Sequence, residues 1–148
     1  MSFGKRYPVV FDTSTLISAA LLPNSIPGSA LKLAFETGVI RASNETLLEL
    51  KTVLSREHFD RYRSPVLRAD FFRYYSESVE LVAVVEHVTD CRDEKDNKFL
   101  SLALAAKAQF IISSDADLLT LNPYRNNISI IKPKDFLELI EKLKFTVQ

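Results

Sequence analysis

The chain has 148 residues, 47% of them hydrophobic, with one cysteine, two histidines and a formal net charge of zero. That length can bury a full core in one domain, the lone Cys91 excludes an internal disulfide, and cysteine and histidine together are too few for a structural zinc site. No apolar run is long enough to span a bilayer, and the neutral balance means that any nucleic-acid site must be local.

The opening segment, MSFGKRYPVVFD, has a basic start, but Asp12 interrupts its apolar run too early for a secretory leader. With no disulfide to form, the expected location is cytoplasmic. Tyr7 to Phe11 reads as a buried strand that turns at Asp12 into a helix from about Thr15 to Leu22. Pro27 and Gly28 precede a second helix carrying Ala30, Leu31, Leu33, Ala34 and Phe35. Gly38 stops it before a strand from Val39 to Ala42. Ser43 or Asn44 can cap a third helix, whose apolar positions Leu47, Leu50, Val53 and Leu54 are flanked by Glu49.

Pro65 fits the first turn of a helix running to about Ser76, and Val79 to Val85 has strand composition. After a polar loop, Lys95 to Ala108 reads as a strong helix, and Phe110 to Ile112 as a strand leading into Ser113-Ser114-Asp115. Ile128 to Ile131 is the last expected strand, and Pro133 opens a helix carrying Phe136, Leu137, Ile140 and Leu143. Strands that are apolar runs, alternating with helices, indicate a three-layer α/β/α sandwich around a mainly parallel sheet, with residues 1–148 as a single domain.

Ligand sites in such sheets form beyond the carboxyl ends of the strands. Asp12 and Asp115 each follow a short apolar strand, so adjacent strands would hold their carboxylates within roughly 5 Å. Asp96 precedes Phe99, Leu100 and Ala103 at helical spacing, which turns it toward the sheet, and Glu49 has a similar setting beside Val53. Acids gathered in this way repel one another and resist ionisation unless cations neutralise them. Oxygen ligands alone favour Mg²⁺ or Mn²⁺, ions that activate water and stabilise in-line attack on a phosphodiester.

The stretches VVFDTSTL at 9–16, SNETLLEL at 43–50, CRDEKDNKFLSLALAAKA at 91–108 and FIISSDADLL at 110–119 resemble, in order and spacing, a PIN domain. The resemblance extends to the bacterial branch described as toxin components of toxin–antitoxin systems, which ends in a strand and helix like residues 130–137. It implies a catalytic and metal-binding set of Asp12, Glu49, Asp96 and Asp115, with Asp117 and Asp93 as nearby candidates. It further implies Mg²⁺- or Mn²⁺-dependent cleavage of RNA, an antitoxin partner and a homodimer. Ser14 stands where the family often has asparagine, and Ser113-Ser114 where threonine and glycine are usual. Ser14 and Ser113 are therefore candidates for positioning substrate. Arg61 and Arg63 join them from a basic, aromatic-interleaved segment between Lys51 and Arg73, which a solvated helix face would explain equally well.

Other readings compete at single positions. Asp93 can cap the helix starting near Glu94, with Asp96 at its third position, and Ser114 with Asp117 makes a similar capping pattern. Acids at strand ends, such as Asp12 and Asp115, are also ordinary turn formers. His58 and His87 read as surface residues. An aspartyl-nucleophile phosphatase would need a second aspartate where Asp12-Thr13-Ser14 has serine, and a PIN-like scaffold that binds RNA or protein without cutting is the remaining alternative.

Overall fold

The computed structural model describes residues 6–147. The first five residues and Gln148, included in the single domain expected above, lie outside the described residues. In chain order the elements are β1 (Tyr7–Phe11), α1 (Thr13–Leu21), α2 (Ile26–Thr37), β2 (Gly38–Ala42), α3 (Asn44–Leu54), α4 (Pro65–Ser78), β3 (Glu80–Leu81), α5 (Asn97–Ala106), β4 (Phe110–Ile112), α6 (Ala116–Leu119), β5 (Ser129–Ile131) and α7 (Pro133–Val147). Short 3₁₀ turns cover Glu57–Phe59 and Glu94–Asp96.

The five strands form one parallel sheet in the order β3-β2-β1-β4-β5. Alternation along the strands sends Val9 and Phe11 of β1 to one face, with Phe110 and Ile112 of β4, and Val10 and Ile111 to the other. The first face packs against α1, α2, α3 and α7. Phe136 of α7 is fully buried there, with ring centroids 6.2, 6.4 and 5.7 Å from Tyr7, Phe11 and Phe110. Each edge-to-face pair of this kind adds roughly 0.5–1.5 kcal/mol beyond its area burial. The second face packs against α5 and Leu118 of α6. Helices thus cover both sides, which is why the strands read as unbroken apolar runs.

Local chemistry sets the helix boundaries. The Asp12 carboxylate accepts from Thr15 N–H, so α1 starts two residues earlier than the sequence reading placed it. Ser25 caps α2, with Pro27 and Gly28 inside its first turn rather than ahead of it. A Cβ on Gly28 would sit 2.1 Å from the Pro23 carbonyl oxygen, so only glycine fits that close approach. Ser43 and Thr46 form a reciprocal capping box on α3, and Ser64 caps α4 ahead of Pro65.

Three expectations need correction. The strand expected over Val79 to Val85 is only Glu80–Leu81, paired with Arg41 and Ala42. Its partner β2 ends at Ala42 because Ser43 turns to cap α3, and after the Val82 N–H bond to Ala42 no backbone remains to pair with. Valines 84 and 85 have strand composition without a neighbour. The helix expected from Lys95 to Ala108 begins as the Glu94–Asp96 turn and ends at Ala106. Lys107 takes a left-handed conformation, φ 52°, with its N–H on the Ala103 and Leu104 carbonyls. Finally, Asp115 rather than Ser114 caps the short helix α6.

Candidate active site

Parallel pairing of β1 with β4 brings the strand ends together: Phe11 lies opposite Ile112, and Asp12 N–H continues the ladder onto the Ile112 carbonyl at 3.2 Å. Asp12 and Ser113 are therefore neighbours, and the Ser113 hydroxyl, wholly buried, donates to Asp12 Oδ2 at 2.5 Å. The same Ser113 oxygen accepts from Asp115 N–H at 3.0 Å. Asp12 Oδ1 takes Thr15 N–H at 2.9 Å, and Asp115 Oδ1 takes the N–H groups of Asp117 and Leu118 at 2.8 and 3.3 Å. Both acids thus cap helices. The turn-forming reading and the site reading describe the same two residues.

Asp12 and Asp115 line a cavity of about 490 Å³ together with Thr13, Ser14, Glu49, Arg56, Phe59, Asp93, Lys95 and Asp96, among others. The four acids expected at the site, Asp12, Glu49, Asp96 and Asp115, all reach it. They are not equivalent. One carboxylate oxygen from each of Asp93, Asp96 and Asp115 lies within 4.8 Å of the others. Asp12 sits behind this triad, 3% exposed, and burial pushes its carboxyl above the ordinary range; hydrogen bonds from Ser113 and Thr15 oppose that shift, and the Asp115 charge adds to it. Glu49 is held at the side: it accepts from the Thr13 hydroxyl and pairs with Lys98 Nζ at 2.8 Å.

Asp96 stands at the end of the 3₁₀ turn, where Asp96 N–H bonds the Asp93 carbonyl. Its Oδ2 is buried with no hydrogen-bond partner. Burial first, then the neighbouring Asp115 and Asp93 charges, push its carboxyl up to about 7. A hydrogen bond between the Asp96 and Asp115 side chains needs a proton on one of them, which adds to the rise. An orphaned buried oxygen beside two further carboxylates is what a hard cation with oxygen ligands relieves, so the donor set fits a divalent ion such as Mg²⁺ or Mn²⁺.

Asp93 does cap, accepting Lys95 N–H at 3.1 Å, yet its carboxylate also joins the triad. Asp117 leans away, 3.7 Å from the guanidinium of Arg92, and does not line the cavity. Ser14 lines it from the exposed face of α1. Arg61 does not reach it: its guanidinium lies 5.3 Å from the Tyr62 ring centroid on the surface. Arg63 does not line this cavity either, and donates to the Ala20 carbonyl at 2.7 Å. Burial pushes the Cys91 thiol up, in keeping with an unreactive side chain, and His58 and His87 are exposed.

Sequence reasoning missed Thr13 and Lys98, whereas Arg56 and Phe59 lie in the basic, aromatic-interleaved segment it singled out, without being named as site residues. Thr13 follows Asp12 directly and could have been read as lining the same strand end. Lys98 and Glu49 meet across 49 residues of chain, a pairing no local pattern encodes.

A family model for the PIN domain matches residues 8–117. The chain belongs to the PIN domain family. It is 34% identical over 153 aligned positions to the uncharacterized protein MJ1680 of Methanocaldococcus jannaschii, covering 93% of this chain and 94% of that one. Among solved structures, PAE2754 from Pyrobaculum aerophilum superposes with a TM-score of 0.61 at 13% identity, over 91% of this PIN chain and 90% of the other. VapBC2 from Rickettsia felis, bound to a DNA fragment from its promoter, gives 0.58 at 14% identity, over 83% and 96%. VapC20 from Mycobacterium tuberculosis, a sarcin-ricin loop cleaving toxin, gives 0.53 at 15%, over 77% and 95%. These likenesses establish a shared PIN fold. Among the described residues no helix is long and apolar enough to cross a membrane.

Proposed function

We propose that this PIN protein is a metal-dependent ribonuclease that hydrolyses RNA phosphodiester bonds, working as the cytoplasmic toxin of a toxin–antitoxin pair. The observation that carries the reading is the Asp93, Asp96 and Asp115 triad with its unpartnered buried oxygen. Asp96 and Asp115, with Asp93, would hold Mg²⁺ or Mn²⁺, and Asp12 lies close enough to add its charge. Bound there, such an ion supplies an activated water and charge stabilisation on the phosphate.

The chain's own residues prepare that chemistry. Ser113 fixes the Asp12 carboxylate and the Asp115 backbone with one hydroxyl, so both acids keep their places before substrate arrives. Thr13 and Lys98 hold Glu49 on the cavity wall as a second carboxylate that orients water. Ser14, exposed at the rim, offers a hydroxyl to the substrate. The toxin role and the antitoxin are supported by the sequence resemblance and by the fold shared with VapBC2 and VapC20, and a homodimer by the sequence resemblance alone.

Cleavage of a mixed RNA pool tests this. Activity should require Mn²⁺ or Mg²⁺ and vanish in chelator, and Asp96→Asn and Asp115→Asn should each lower it by at least roughly 100-fold while the protein stays folded. Near-wild-type rates in both variants would remove these acids from the chemistry, and a wild-type protein that cleaves nothing in Mn²⁺ or Mg²⁺ would leave a binding module.

A further inference from the structure

The acid cavity has an answering cation whose position is fixed by a buried hub. Arg68 of α4 is only 3% exposed. It donates to the Leu54 carbonyl at 2.8 Å, the Arg63 carbonyl at 2.6 Å and the Arg56 carbonyl at 3.3 Å, and pairs with Asp60 at 2.9 Å. All four acceptors belong to residues 54–63, the link between α3 and α4. That link carries Arg56 and Phe59, which both line the acid cavity. Backbone bonds from Phe59 N–H to the Arg56 carbonyl and from Tyr62 and Arg63 to the Phe59 carbonyl close the 3₁₀ turn between them.

Of the other basic side chains around the acids, Lys98 is on Glu49, Arg92 on Asp117 and Arg63 on Ala20, while Lys95 also lines the cavity and, among the described residues, its ammonium has no ion pair. Arg56 is exposed, and among the described residues its guanidinium has no ion pair or hydrogen bond. A phosphate chain entering a cavity with five acidic side chains meets repulsion, which an uncommitted arginine offsets with its planar donor fork. Phe59, half-buried, backs on to the core and shows the rest of its ring to the cavity, with the exposed His58 ring tilted against it at 4.1 Å. An aromatic face beside an arginine is the chemistry that unpaired bases use, since a base inside a duplex has no free face.

On the reading of the cavity as an RNA-cleaving site, we infer that the Arg56–Phe59 turn is its substrate-recognition rim: Arg56 takes a phosphate and Phe59 stacks an unpaired base. Arg68 is a positioning residue that fixes this rim from behind.

The test uses the full chain in Ca²⁺, which takes oxygen ligands, with fluorescence anisotropy of a labelled single-stranded RNA of roughly ten nucleotides and of the same strand annealed to its complement. Arg56→Gln should flatten the log–log salt dependence of single-strand binding by about 0.7, one phosphate contact. Phe59→Leu should weaken it by roughly 5- to 150-fold, and Phe59→Tyr should restore it, which separates stacking from lost packing. The duplex should bind weakly and respond to neither. Wild-type protein that fails to bind the single strand, or unchanged affinity and slope in both Arg56→Gln and Phe59→Leu, would overturn the rim. Unchanged binding with Mn²⁺-dependent cleavage intact would overturn the rim while sparing the nuclease. The expected binding losses without any cleavage by wild type would do the reverse.

Discussion

Asp96 should make the metal-free protein less stable than it could be, and the size of that cost follows from its surroundings. Its carboxyl stands at about 7 against an ordinary 3.8 because burial and two neighbouring acids disfavour its charge. At about 1.4 kcal/mol per pH unit the ceiling is about 4 kcal/mol. The side chain partly faces a cavity open to water, which screens the interaction, so we expect about half of that, roughly 2 kcal/mol. Asp96 makes no capping hydrogen bond that asparagine would lose. Asp96→Asn in chelator should therefore raise the melting temperature by roughly 4–8 °C at about pH 8.

The pH dependence has a definite sign. As pH rises from about 4 to about 7 the unfolded chain ionises Asp96 while the folded chain keeps its proton, so wild-type stability falls across that window and then levels. The gain from Asp96→Asn should be greatest above about pH 7 and gone near pH 4. Mn²⁺ at about 100 times its dissociation constant should then stabilise wild type by roughly 2.7 kcal/mol and the variant by much less, reversing their order. Thermal unfolding across pH, with and without the ion, reads all three effects. An Asp96→Asn protein that melts lower than wild type in chelator at high pH would refute the reasoning.

Lys98→Gln removes a cation from the edge of the acid cavity and should tighten Mn²⁺ binding severalfold in calorimetry, while loss of its half-buried pair with Glu49 should cost about 1 kcal/mol in stability. Arg68→Lys cannot reproduce four acceptors with one ammonium and should cost at least about 2 kcal/mol in denaturant unfolding, since three carbonyls lose a charged donor. Gly28→Ala forces a methyl onto the Pro23 carbonyl and should destabilise by more than the roughly 1 kcal/mol that helix propensity would gain, seen as a lower melting temperature with RNA cleavage unaffected below it.

The strands β1 and β4 were legible because both faces of a central parallel strand are buried and nothing polar interrupts the run. The acids at their ends were legible for the same reason, since a charge immediately after such a run has to lie at the sheet edge. Asp93 was read as a cap, which it is, but its convergence with Asp96 depends on a 3₁₀ turn that helical spacing does not anticipate. The valines before residue 86 carried strand composition into a stretch whose partner had already turned away. Arg61, Arg63 and Arg68 look alike in sequence as charges on a polar stretch. One stacks on Tyr62, one ties to α1 and one is a buried hub, because backbone carbonyls at the ends of α1 and α3 select among them and carry no sequence signature.

β1, which precedes the other described strands in the chain, is the middle of the sheet. β1 has β2 on one side and β4 on the other, and β4 arrives only at residue 110. Asp12 therefore spends the synthesis of a further hundred or so residues without Ser113 or Asp115 beside it. A nascent or prematurely released chain ending before β4 carries Asp12, Glu49, Asp93 and Asp96 but has no strand to draw the first of them to the last. Parallel pairing at such separation also closes late in folding. The order of the strands thus acts as a timer: the acid cluster is assembled only once β4 and Asp115 have been made, and products released before them carry parts of the site without the site.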